Sequence, residues 1–115
     1  MVEVKMQLPN ELATQVQVTS LWMPTILELN FARFKTRVAM NAWEIAAFLA
    51  QNPSPQEVLD HHASERAQSR LRRLLNLNKA GKLTEKDQHE LDEMERLNHI
   101  VFMLKMQAID QIQQS

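Results

Sequence analysis

The chain has 115 residues, a formal net charge of −1 at pH 7 and no cysteine. Disulfides, thiolate metal sites and cysteine nucleophiles are therefore excluded, and no global charge draws the chain to nucleic acid or to an anionic membrane. Apolar residues make up 44%, enough for a core and too many for a disordered chain, while a single glycine, Gly81, argues against an all-β fold with its many positive-φ turns.

Val2 to Leu8 alternates strictly, with Val2, Val4, Met6 and Leu8 apolar and Glu3, Lys5 and Gln7 polar. That is the period of a strand with one buried face. A lone strand cannot satisfy its own backbone groups, so pairing with a second copy or a partner is expected. A short helix follows Pro9, with Asn10 as its cap and Leu12 and Val16 one turn apart, and ends near Thr19 or Ser20. Pro24 is placed as a first-turn residue of the next element.

Between Thr25 and Asn52 there is neither glycine nor proline. Leu27, Phe31, Phe34, Val38, Ala42, Ile45 and Leu49 recur every three or four residues, which predicts one long helix or two with a bend near Thr36 to Asn41. Pro53 ends it, and Ser54, Pro55 and Glu57 form a capping box for a short helix through His61 or His62. Ser64 caps a helix over 65–80 with Leu71, Leu74 and Leu75 as its apolar stripe, and Gly81 suits the position just past its end. Thr84, with Asp87 three residues on, opens a last helix from Glu85 to about Gln113, on which Met94, Leu97, Val101, Leu104 and Ala108 form a seam. The short connection from Ala80 to Thr84 predicts that these two helices are antiparallel neighbours.

The expected architecture is mainly α: a helical domain with a C-terminal antiparallel helical hairpin and one short N-terminal strand. Residues 1–52 would hold the strand, helices and a dimerisation part, and residues 53–115 the hairpin. No apolar run approaches the roughly 18 residues of a membrane span. Met1 to Met6 lacks the basic and apolar regions of a signal peptide, so a cytoplasmic protein with no membrane contact is expected.

Charge is placed unevenly. Arg66, Arg70, Arg72, Arg73, Lys79 and Lys82 face only Glu65 within 65–82, whereas Glu85, Asp87, Glu90, Asp92, Glu93 and Glu95 face only Lys86 within 85–95. Complementary charge across the hairpin is the simplest reading; a phosphate-binding row of Arg66, Arg70 and Arg73 is the other. The run from Ile100 to Leu104, followed by Met106, Ile109 and Ile112, is apolar around more than one helix face and needs neighbours on several sides. Ile100, Met103, Met106 and Ile109 are the candidate partner-binding residues. Lys5 and Gln7 are candidates for reading base edges in a DNA groove. His61, His62, His89 and His99 lack metal-ligand spacing, and no phosphate loop or nucleophile elbow occurs. No catalytic residue, metal or cofactor is expected, and the chain is read as a non-enzyme.

Residues 2–38, on Val4 to Leu12, the short helix, and Thr25 to Val38, resemble the strand–helix–helix order of ribbon-helix-helix DNA-binding proteins. The resemblance implies a homodimer whose paired strands present Lys5 and Gln7 to the major groove; the turn of Ser20 to Met23 departs from the family in lacking glycine. Residues 53–108 are similar to a group of small bacterial proteins, frequent in cyanobacteria, that accompany genes for HNH or PIN nucleases. The similarity rests on Pro53 to Leu59, Glu65 to Gln68, Lys79 to Lys86, Glu90 to Glu93, and Leu97 to Val101 with Leu104 and Lys105. It implies an antitoxin-like regulator that masks a toxin or nuclease, with acidic residues of 85–95 mimicking or excluding nucleic acid. A DNA-binding transcriptional regulator and a structural subunit or assembly factor are the alternatives.

Overall fold

A computed structural model describes residues 21–114. It contains α1 (Met23–Phe31), α2 (Val38–Ala50), α3 (Pro55–Asp60), α4 (Glu65–Lys79) and α5 (Glu85–Gln114). The described residues contain no strand, and the strand, first helix, Lys5 and Gln7 of the sequence analysis lie outside them. None of these helices is long and apolar enough to cross a membrane.

Helix ends follow the expected local chemistry. Glu57 N–H donates to Ser54 Oγ at 3.1 Å while Ser54 N–H donates to the Glu57 carboxylate, closing a capping box. Ser64 Oγ accepts from Ala67 N–H and Thr84 Oγ1 from Asp87 N–H, which starts α4 and α5. At the end of α4, Gly81 adopts φ +67, its N–H donates to Asn78 O, and Lys82 N–H donates to Leu77 O at 2.9 Å. These paired bonds satisfy carbonyls that the helix end would otherwise leave bare, and only glycine takes this backbone geometry without strain.

The segment 25–52 is two helices. Residues 32–37 interrupt it, with Arg33 at φ 53. The cause is distant in sequence. Glu93 on α5 accepts from the backbone N–H of Lys35 and Thr36 and from the Thr36 hydroxyl, at 2.8, 2.9 and 2.6 Å. Arg96 donates to Ala32 O at 3.1 Å, satisfying a carbonyl at the end of α1. Phe31, the last residue of α1, is 62% exposed, so the apolar stripe predicted through Phe31 is not one buried face of one helix.

α5 is the axis, and every other described helix packs on it. Trp22, Ile26 and Leu29 before and along α1, Val38, Ala42 and Leu49 of α2, Val58 of α3 and Leu74 of α4 form one buried cluster with Leu91, Met94, Leu97, Ile100, Leu104 and Ala108 of α5. The predicted seam on α5 is therefore inside, with Val101 half-buried. Trp22 is fully buried and its indole N–H donates to Pro53 O at 2.8 Å, tying the start of α1 to the loop before α3.

α4 is tied to α5 in its first half, where Arg70 reaches Glu90 and Asp87. Ala67, Gln68 and Leu71 look across a cavity of about 580 Å³ at Met94, Leu97 and Val101.

Burial works to raise the Glu93 carboxyl, but bonds from the Thr36 side chain and the Lys35 and Thr36 N–H groups, with the charge of Arg96, outweigh it and hold it below its usual value. Its stabilisation is present above the unfolded carboxyl pKa and lost as pH falls through the lower folded one. Glu93→Gln should therefore lower the urea midpoint at pH 7, and the gap to wild type should narrow at pH 3.

Candidate functional site

α5 separates an inward side from an outward one. Its first half turns two carboxylates inward. Glu90 is 6% exposed and binds Arg70 Nε at 2.7 Å and Nη2 at 3.1 Å, with Arg37 at 3.7 Å on its other side. The Glu90 hydrogen bond raises the Arg70 guanidinium above its ordinary pKa against the opposing effect of burial. Glu90 and Glu93 are thus structural, tied to Arg70 and to the Lys35–Thr36 backbone. Glu85, Asp92 and Glu95 remain outside.

The second half of α5 carries the candidate partner-binding residues, and the structure divides them. Ile100 is 8% exposed and belongs to the core, so it is withdrawn from the partner-binding set. It lies beside α1, in the recess it shares with Glu28 and Phe31. Met103, Met106 and Ile109 are 54%, 47% and 38% exposed. Phe102, 59% exposed, was not singled out, although it stands in the same apolar run. Phe102, Met106 and Ile109 follow i, i+4, i+7 spacing and so form a single stripe, with Met103 on its flank. One turn before Phe102 and Met103, His99 and Glu95 line a shallow recess with Phe31 of α1. The apolar face therefore has a polar end.

The cavity between α2, α4 and α5 is the second concave feature. Ile45, Phe48, Val58, Leu71, Leu97 and Val101 supply its apolar wall. Phe48 and His61 stack at 4.3 Å between centroids. Lys105 donates to Leu59 O and His61 O, at 3.3 and 2.9 Å, and so caps α3. Burial, then the nearby Lys105 and His62 charges, lower the His61 pKa against the pull of Glu44. Stacked on Phe48, the His61 ring serves as a flat wall of the cavity. Among the described residues, no three His, Asp or Glu side chains come together as a metal site.

No protein-family model, curated protein or solved structure matches the chain.

The division along α5 predicts opposite outcomes for neighbouring substitutions. Ile100→Asp places an unpaired charge in the core and should cost about 3 kcal/mol or more. Met103→Asp lies on the surface and should stay within about 0.5 kcal/mol of wild type. Urea unfolding followed by far-ultraviolet circular dichroism measures both.

Proposed function

We propose that this chain is a non-catalytic, protein-binding regulator that inserts the outward face of α5 into an apolar groove on a partner protein. The exposed stripe of Phe102, Met106 and Ile109 carries this reading. Anchors at i, i+4 and i+7 on a rigid helix are the arrangement by which a helix fills a hydrophobic groove. Phe102 would be the principal anchor, since a large aromatic ring removes the most apolar area from water. Met103 and Met106 adapt to the shape of the groove through their unbranched side chains. The fold holds the stripe rigid, because the opposite side of the same helix is the core.

In the antitoxin-like form of this reading, which the resemblance of residues 53–108 implies, that partner would be a toxin or nuclease, masked by burial of its working surface. Glu95 and His99, at the polar end of the stripe, would then meet the rim of the interface. Self-association is a narrower form of the same chemistry, in which the groove belongs to a second copy.

The test is affinity purification of the full chain from its native cells, with wild type compared with Phe102→Asp and Met106→Asp, and light scattering of each purified protein. One stoichiometric protein lost with both variants, but retained by Met40→Asp on α2, is the expected result. A dimer that both variants dissociate would make the partner a second copy. Equal recovery of every bound protein by wild type and variants, with an unchanged mass, would overturn the reading.

A further inference from the structure

The exposed side of α4 is a second surface, independent of the α5 stripe. The expectation of charge pairing across the two helices is met at one place only. Arg70 takes Glu90 and Asp87, whereas Arg66, Arg72, Arg73 and Lys79 form no ion pair among the described residues. All four are exposed. Among the acids of α5, Glu90 and Asp87 are engaged with Arg70 and Glu93 with the loop before α2, while the exposed Glu85, Asp92 and Glu95 form no ion pair with these cations.

Helical geometry arranges these cations in two rows. Arg66 and Arg73 are seven residues apart and lie on one edge of the outward face, about 10 Å apart along the axis. Arg72 and Lys79 have the same spacing on the other edge. Between the rows lie Ser69 and Asn76, again seven apart, short and polar. Ser69 Oγ accepts from Arg72 Nη2 at 3.2 Å, so the strip and one row are already in contact. Glu65 is the one acid on this face, and it sits in the first turn, where the helix dipole favours an anion.

The geometry points to a nucleic-acid-binding face, with α4 seated in the major groove of duplex DNA. A helix with side chains is about 10–12 Å across, and the groove is about 12 Å wide. Two rows of cations flanking the helix match the two phosphate strands that border the groove. Ser69 and Asn76 between them face the base edges, where an amide side chain reads adenine by a paired donor and acceptor. Simple solvation of a charged helix explains the exposure of these residues but not the division into two basic edges and a short polar centre. The paired rows also distinguish DNA from double-stranded RNA, whose deep, narrow major groove does not admit a helix.

The test uses the full chain and fluorescence anisotropy with a labelled 20-base-pair DNA duplex of mixed sequence. Binding should be measurable at 50 mM salt and should weaken steeply with added salt, with a log–log slope of about −3 to −4 if four phosphates are contacted. The pair Arg66→Gln and Arg73→Gln, and separately the pair Arg72→Gln and Lys79→Gln, should each weaken binding at least about tenfold at unchanged helix content. Arg33→Gln with Lys35→Gln, cations outside α4, should change it by less than about twofold. Duplex RNA of the same length should bind at least about tenfold more weakly. No binding of wild type at 50 mM salt, equal effects of the α4 and control variants, equal affinity for duplex RNA, or binding only to vesicles of anionic lipid would each overturn the proposal.

Discussion

Two carboxylates turned inward from the first half of α5 hold the rest of the fold in register. Glu90 lies under Arg70 of α4 with Arg37 of the α1–α2 loop beside it. Glu93, one turn further on, takes the backbone of the same loop through Lys35 and Thr36. A carboxylate out of water is costly unless its oxygens are bonded and its charge is opposed. Here both conditions are met by groups drawn from separate segments, so the acids act as directional ties where apolar packing alone would leave the helices free to slide. No buried side-chain nitrogen or oxygen among the described residues lacks a hydrogen-bond partner.

The ties set what each outer surface is free to do. Arg70 ties the first half of α4 to α5, and beside it Ala67, Gln68 and Leu71 line the apolar cavity walled by Phe48 and His61. Because Arg70 alone of the α4 arginines is paired, the remaining cations stay on the surface in two rows. Because the core takes Met94, Leu97, Ile100, Leu104 and Ala108 from one side of α5, Phe102, Met106 and Ile109 are left on the other. A protein-binding stripe on α5 and a basic face on α4 are thus products of one packing arrangement. They suit a regulator that engages a protein and a nucleic acid through different helices.

The local signals were legible in the sequence. Ser54 with Glu57, Ser64, Thr84 with Asp87 and Gly81 each act within a turn of where they stand, so residue type alone places those helix ends. The seam through Met94, Leu97 and Leu104 was legible for the same reason, since three- and four-residue spacing is a property of one helix. What was not legible depends on partners far away in the chain. The periodicity allows two helices with a bend near Thr36 to Asn41, but the break falls earlier, at 32–37, without glycine or proline, where Glu93 and Arg96 hold the loop around Arg33 at positive φ. Ile100 and Met103 are equally apolar, and only the packing of the other helices decides that the first is inside and the second outside. Glu90 reads as one more acid in an acidic run, and its burial follows from Arg70 facing it across the turn.

The most direct test of this account is a double-mutant cycle on the tie at the centre of it. Stabilities of wild type, Arg70→Gln, Glu90→Gln and the double variant would be measured by urea unfolding at pH 7. If Glu90 anchors α4 through Arg70, the two substitutions should be strongly non-additive, with a coupling of about 1–3 kcal/mol. Additive effects, with coupling near zero, would show that α4 is held by Leu74 and its apolar neighbours alone and would contradict the central role given to the inward carboxylates.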